Sequence, residues 1–130
     1  MIVLDASAIV ELVVEPRAAT SAIRSRLRND PDIHVPHLAD AEVTSALRRK
    51  LLAGQLDVLR ARRAIRRLSA LHLVRWQQTP LLGRALALRD QLSAYDAIYV
   101  AMAEATGATL LTRDARRARA TGHRARVELV

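Results

Sequence analysis

The chain lacks cysteine and phenylalanine, and its only aromatic residues apart from histidine are Trp76, Tyr95 and Tyr99. The absence of cysteine excludes disulfides, zinc–thiolate sites, iron–sulfur clusters and thiol nucleophiles. With so few aromatic rings on which single-stranded bases stack, any bound nucleic acid is expected to be held by its phosphates. The four glycines are too scattered for a dinucleotide-binding or phosphate-binding loop.

Long apolar runs are also missing. No stretch of about 18 apolar residues occurs, which argues against a membrane span. The first five residues, M-I-V-L-D, lack the basic segment and the longer apolar segment of a secretory signal. We therefore expect a cytoplasmic protein with no membrane partner.

Positive charge is in excess, with 21 basic and 13 acidic side chains and a formal charge of +8 at pH 7. Lys50 is the only lysine, so nearly all of this charge comes from arginine. Such a balance attracts polyanions, of which nucleic acid is the commonest, but it specifies no chemistry. A length of 130 residues with 51% hydrophobic residues is enough for one domain, which we expect to span 1–130.

Short apolar runs alternate with segments of helical periodicity along the whole chain. Strands are predicted at 2–4, 33–35, 73–75, 108–111 and 126–130. Helices are predicted at 6–14, 17–28, 39–53, 57–71, from Pro80 to about 92, 95–106 and 114–120. No hairpin turn joins consecutive strands, which indicates an α/β fold with a mainly parallel, Rossmann-like sheet of four to five short strands flanked by helices.

The helical periodicity also predicts which side chains face the core. In 17–28, Ala19, Ile23 and Leu27 share one stripe. In 57–71, Val58, Ala61, Ile65 and Leu68 are expected to face inward. The arginines of this helix, at 60, 62, 63, 66 and 67, either follow an RNA path or form a solvated face.

Four acidic residues stand at informative places. Asp5 ends the first strand, Asp114 follows the fourth, and Glu42 and Asp96 lie in the first turns of helices. In an open parallel sheet, the carboxyl ends of strands and the adjoining helix starts converge on one crevice. Carboxylates gathered there require protonation or a cation, and with only hard oxygen ligands that cation is Mg²⁺ or Mn²⁺. Such ions activate water and stabilise the oxygens of a phosphodiester during in-line displacement.

Each acid also has a structural explanation. Ser93 and Asp96 fit a capping box, and Asp114 fits the N-terminal cap of the helix that follows it. Glu42 could complement a helix dipole. Asp5 is harder to explain in this way, because an acid directly after a buried strand needs a partner.

Four segments, taken in order, resemble the PIN-domain family, and in particular the VapC-type toxins of toxin–antitoxin pairs. The segments are I-V-L-D-A-S-A at 2–8, A-E-V-T-S-A-L-R-R at 41–49, L-S-A-Y-D-A-I-Y-V-A-M-A-E at 92–104 and L-L-T-R-D at 110–114. Each motif is short, but four in sequence are fairly specific. The resemblance spans almost the whole chain.

The resemblance implies that Asp5, Glu42, Asp96 and Asp114 are the catalytic acids and the Mg²⁺ or Mn²⁺ ligands of an endoribonuclease that leaves 5′-phosphate and 3′-hydroxyl ends. Ser7 and Thr112 match its supporting polar positions. The match favours Glu42 over Asp40 as the ligand of its helix, which leaves Asp40 as an N-terminal cap. Among the arginines beside the last acid, Arg113 and Arg116 are candidate phosphate contacts.

The resemblance also implies partners besides the RNA substrate. A VapB-like antitoxin is expected to lie across the groove and neutralise the toxin. A homodimer and a larger toxin–antitoxin complex are typical of the family.

Other classes of function fit less well. A haloacid-dehalogenase-like phosphatase has a D-x-D motif after the first strand, whereas this chain has Ser7 in place of the second aspartate. A receiver domain needs a lysine near the end of a late strand, and Lys50 is not there. The four histidines show no paired spacing on a helix face. A catalytically inactive PIN-like module that binds nucleic acid or another protein remains the alternative.

Overall fold

The computed structural model describes residues 1–17 and 21–130. Within them, five parallel strands form one sheet in the order β3-β2-β1-β4-β5. The strands are β1 Ile2–Leu4, β2 Ile33–Pro36, β3 Leu73–Trp76, β4 Thr109–Thr112 and β5 Arg126–Leu129. This arrangement confirms the predicted α/β fold.

Helices connect every consecutive pair of strands. They are α1 Ala6–Val14, α2 Ser21–Asn29, α3 Leu38–Leu52, α4 Val58–Ala70, α5 Leu82–Ala87, α6 Ala94–Thr106 and α7 Ala115–Arg119, with a 3₁₀ turn at Thr79–Leu81. Gly107 ends α6 at φ 69°, a left-handed conformation that glycine adopts without steric cost, and the chain then enters β4. None of the helices in the described part of the chain has the length and apolarity needed to cross a bilayer.

The sheet is covered on both faces. Helix α1 packs against α3 and α4, whereas α6 packs on β1, β2 and β4 and is covered in turn by α5. Right-handed crossovers account for this division, because the chain moves from β1 towards β3 and then returns towards β5. The central strand β1 is fully buried, as its uninterrupted apolar run requires.

The direction of the crossovers reverses between β1 and β4, which are paired with Leu4 opposite Leu111. At such a switch point the loops leaving the two strands diverge and open a crevice at their carboxyl ends. Asp5 and Asp114 follow these two strands. The topology therefore brings the first and the last of the four acids to the same edge of the sheet.

Three details differ from the sequence-based predictions. The helix predicted to run from Pro80 to about 92 ends at Ala87, because the next residues form tight turns that keep Leu88 buried. Val58 and Ile65 were predicted to face inward but are 60% and 38% exposed. The apolar stripe of α4 is wider than its contact with the core, which Ala61, Ala64 and Leu68 make.

The helix predicted at 17–28 is only partly described. The structure places α2 at Ser21–Asn29 with Ile23 buried, whereas the predicted position of Ala19 lies outside the described residues.

Candidate acidic active site

Asp5 is held rigidly at the end of β1. Its N–H donates to the Leu111 carbonyl at 3.0 Å, which continues the pairing with β4. Its carboxylate Oδ2 accepts hydrogen bonds from Ser7 Oγ at 2.6 Å and from Thr112 Oγ1 at 2.5 Å. The residue is only 1% exposed. Both hydroxyls therefore orient one oxygen of a buried carboxylate and leave the other oxygen for a cation.

Asp114 lies on the neighbouring loop and is linked to Asp5 through Thr112. The Asp114 N–H donates to Thr112 Oγ1 at 3.0 Å. Its carboxylate caps α7 by accepting from the N–H groups of Arg116 and Arg117. Burial raises the pKa of Asp114, but these N–H donors and the two arginine charges outweigh burial, so the pKa is lowered overall. Asp114 is thus both a helix cap and a charged neighbour of the cavity.

Glu42 reaches the cluster from α3 and is bound by a buried tyrosine. Tyr99 OH donates to Glu42 Oε2 at 2.6 Å, and Tyr99 is 0% exposed. Burial is the main cause that raises the pKa of Glu42, and the charges of Asp5 and Asp96 raise it further. The hydrogen bond from Tyr99 and the charge of Arg117 act in the opposite direction. The pKa of Glu42 therefore depends on the charges of Asp5 and Asp96.

Arg117 stands between Asp5 and Asp96 and forms ion pairs with both carboxylates. It is 6% exposed, and its guanidinium carbon lies 5.2 Å from the centre of the Tyr99 ring. Its own burial lowers the pKa of Arg117, but the two aspartate charges outweigh this effect and raise the pKa overall. Arg117 is therefore a charged, internal counter-ion of the acidic cluster.

These groups surround a cavity of about 340 Å³ at the switch point of the sheet, with Asp5, Ser7, Glu42, Arg49, Asp114 and Arg117 among its lining residues. Asp96 joins the cluster through Arg117. Among residues 1–17 and 21–130, no three acidic or histidine side chains are spaced as the ligands of one metal ion. The guanidinium of Arg117 occupies the space between two of them.

The other candidate residues have different partners. Asp40 was expected to cap α3, but its carboxylate pairs with Arg75 at 2.7 and 3.0 Å, because the side chain of Arg75 on β3 extends to the first turn of the helix. Arg113 pairs with Glu11 at 2.8 Å and donates to the Val130 carbonyl at 2.6 Å. The side chain of Arg116 is 91% exposed, and its Nε lies 3.8 Å from Asp114 Oδ1.

Sequence reasoning missed Tyr99 and Arg49 as site residues, and it considered Arg117 only as one of several possible phosphate contacts, not as the partner of Asp5 and Asp96. Arg117 is one of four arginines between 113 and 119, and only the rotation of α7 selects it. Tyr99 does follow Asp96 by three residues, which places both on neighbouring positions of α6. That spacing was the one available signal.

The raised pKa of Glu42 predicts an unusual effect on stability. A carboxyl whose folded pKa is raised stabilises the fold below its unfolded pKa of about 4.5, and this stabilisation is lost as the pH rises through the folded pKa. Glu42→Gln stays neutral and can still accept from Tyr99. In EDTA at pH 7, we expect this variant to unfold at a higher temperature than the wild type, with the difference shrinking below pH 4.5.

Glu104→Gln provides a control of opposite sign. A hydrogen bond from Arg84 lowers the pKa of Glu104 to about 2, so its stabilisation is present above the unfolded pKa and is lost as the pH falls towards 2. This variant should be less stable than the wild type at pH 7. Calorimetric melting curves across this pH range measure the change in stability of each variant relative to the wild type. A Glu42→Gln variant that is less stable than the wild type at pH 7 would contradict the prediction for Glu42.

Comparison with known proteins gives a consistent match over the whole chain. The PIN domain family model matches residues 2–122. Ribonuclease VapC3 of Mycobacterium tuberculosis is 42% identical over 119 residues, which cover 92% of this chain and 86% of the relative. Ribonuclease VapC12 of the same organism is 38% identical over 130 residues, covering 100% and 99% of the two chains.

Solved structures agree at the level of the fold. VapBC2 from Rickettsia felis, solved bound to a DNA fragment from its promoter, superposes with a TM-score of 0.67 at 17% identity, covering 100% of this chain and 99% of that one. PAE2754 from Pyrobaculum aerophilum has a TM-score of 0.65 at 23% identity, with 89% and 81% covered. The sheet order, the clustered acids and the sequence identity lead to one conclusion: the chain belongs to the PIN domain family and, within it, to the VapC ribonucleases.

Proposed function

We propose that the chain is a divalent-metal-dependent endoribonuclease and the toxin of a toxin–antitoxin pair. The observation that carries the proposal is that Asp5 and Asp96 share one cationic group, Arg117, at a cavity that Glu42 also lines. Such a site needs positive charge, and the net charge of +8 favours an anionic polymer as the ligand of the chain. The VapC ribonucleases similar to this chain support RNA as that polymer.

The donor set suits Mg²⁺ or Mn²⁺. All candidate ligands are oxygens, and two hydroxyls already orient the Asp5 carboxylate for a hard cation. Asp5, Glu42 and Asp96 would hold the ion once Arg117 moves aside, and Asp114 would act from the next loop through water. When bound, the ion would activate water and offset the charge of the phosphodiester. Ser7 and Thr112 keep the buried carboxylate in place for this task.

The toxin role rests on the relatives. The solved structures similar to this fold include VapBC2 from Rickettsia felis and a toxin–antitoxin complex from Klebsiella pneumoniae. By analogy, a VapB-like antitoxin would bind this chain in the cytoplasm and block its acidic site. A homodimer and a higher complex with the antitoxin belong to the same proposal.

The direct test is cleavage of end-labelled cellular RNA by the purified chain. We expect discrete products with 5′-phosphate and 3′-hydroxyl ends in Mg²⁺ or Mn²⁺, and no products in EDTA. Mapping the product ends would also identify the sequence that is cut. Cleavage that persists unchanged in EDTA would overturn the metal-dependent mechanism.

Growth provides a second prediction. Production of the chain alone should slow growth of a bacterial host, and co-production of the adjacent gene product should relieve the effect. Asp96→Ala should abolish the toxicity, because it removes a carboxylate that contacts the central cationic position. Viable counts after induction measure this effect.

Asp90→Ala is a suitable control, because Asp90 is an exposed acid only six residues away. It should remain as toxic as the wild type at equal protein levels. If Asp96→Ala is equally toxic, the acidic cluster does not cause the effect.

An inactive nucleic-acid-binding module is the second candidate. The specific observation in its favour is Arg117, which already neutralises part of the acidic cluster. RNA binding without cleavage in either Mg²⁺ or Mn²⁺ would support this candidate over the nuclease.

A further inference from the structure

A second cavity, of about 430 Å³, adjoins the acidic one and contains an exposed aromatic ring. It is lined by Leu38, Ala41, Glu42, Ser45, Arg49 and Tyr95. Tyr95 belongs to the first turn of α6, and its side chain is 65% exposed. The two cavities share Glu42 and Arg49. Any ligand that spans them therefore passes directly beside the acidic cluster.

Tyr95 presents an exposed aromatic ring directly beside the acidic cavity. Trp76 is also 42% exposed, but it lies on β3 with its indole N–H bound to His34, and Tyr99 is buried and bound to Glu42. In the described part of the chain, by contrast, the Tyr95 ring has no hydrogen bond and no ring contact. A large exposed aromatic ring beside a cavity is a typical platform for an unpaired base.

The lining of this second cavity matches a nucleotide. Leu38 and Ala41 supply apolar surface for the flat face of a base, and Ser45 supplies a hydroxyl. Arg49 donates to Ser45 Oγ at 3.0 Å and lies at the border with the acidic cavity, where a phosphate would enter. The combination of apolar wall, aromatic face and cation is how single-stranded nucleic acid is held.

We propose that the cavity beside Tyr95 binds the base of the nucleotide that flanks the scissile phosphate, with Tyr95 stacking on the base. This inference rests on the proposed ribonuclease function and adds a specificity-determining residue to it. Stacking would orient that nucleotide so that its phosphate lies between Arg49 and Glu42. The expectation that phosphate contacts alone hold the RNA would then be incomplete.

The test is a double-mutant cycle on the RNA whose cut site has been mapped with the wild type. One arm is Tyr95→Ala, and the other is removal of the base next to the cut, which leaves an abasic nucleotide. We expect each change alone to lower kcat/KM by about five- to a hundredfold. The two together should cost little more than either one, because both remove the same contact.

Two control variants separate stacking from structural effects. Tyr95→Phe keeps the ring and should stay within about twofold of the wild type. Leu52→Ala removes another exposed apolar side chain, 73% exposed at the far end of α3, and should leave cleavage unchanged.

The outcomes are distinguishable. A wild type that cuts no RNA overturns the ribonuclease proposal and this inference together. A wild type that cuts RNA while Tyr95→Ala is unaffected overturns the inference alone. Losses that simply multiply in the cycle also overturn it, because the ring and the base would then act independently.

Discussion

Asp5→Asn should lower the rate of RNA cleavage by about a thousandfold, equivalent to about 4 kcal/mol of transition-state stabilisation. Asp5 is the most buried acid of the cluster, and its carboxylate is oriented by Ser7 and Thr112. Asparagine can still accept from both hydroxyls, so the end of β1 keeps its conformation. It lacks the charge that a divalent ion requires. Single-turnover cleavage of end-labelled RNA measures the change.

Asp40→Asn is the matched control for this experiment. This variant is also an aspartate-to-asparagine substitution, at a position on α3 two residues before Glu42. The Asp40 carboxylate, however, pairs with Arg75 outside the acidic cluster. Its replacement should leave the cleavage rate within about twofold, since an exposed ion pair contributes less than about 1 kcal/mol to stability. If the two variants cleave RNA at the same rate, the acid at position 5 is not catalytic. Circular dichroism checks that both variants are folded.

Arg117→Met should destabilise the metal-free protein by about 3–5 kcal/mol, because it leaves the buried Asp5 and its neighbour Asp96 without their counter-ion. The midpoint of thermal unfolding in EDTA should fall by about 10 °C or more. Mn²⁺ should then stabilise this variant more than it stabilises the wild type. In the wild type the ion must displace Arg117, whereas in the variant it would fill a position that is already vacated.

Arg116→Met is the control for Arg117→Met. The two arginines are adjacent in α7, yet Arg116 is exposed and reaches only to 3.8 Å from Asp114. Its replacement should leave both the melting midpoint and the response to Mn²⁺ unchanged. Equal destabilisation by the two variants in EDTA would show that Arg117 does not neutralise the cluster. Equal Mn²⁺ responses of Arg117→Met and the wild type would show that arginine and metal do not compete.

The fold could be predicted from the sequence because the patterns that indicate its strands and helices lie within short segments. The apolar runs that became β1 and β4 are surrounded by helical periodicity, and parallel strands of this kind must be covered on both faces. Residues directly after such strands lie at one edge of the sheet, and this rule predicts that Asp5 and Asp114 lie close together. Helix ends were less accessible, as the early end of α5 at Ala87 shows.

The candidate site could be predicted from the sequence only in part. The acids could be nominated from their positions, but their partners depend on how distant elements pack. Asp40 was predicted to be a helix cap because the neighbouring residues in the sequence all belong to its own helix. Its actual partner, Arg75, lies on β3 and is distant in the sequence. Likewise, the exposure of Val58 and Ile65 depends on how much of α4 the neighbouring helices cover.

The parallel α/β architecture and the sheet edge that carries Asp5 and Asp114 follow from the sequence alone, since periodicity and strand ends are properties of short segments. The packing of distant segments selects Arg117, rather than Arg113 or Arg116, as the partner of Asp5, and it places Tyr95 and Arg49 at a common cavity. The reason is that neighbouring arginines are equivalent along the chain. They become different only when packing sets the rotation of each helix and brings residues from distant segments within contact distance.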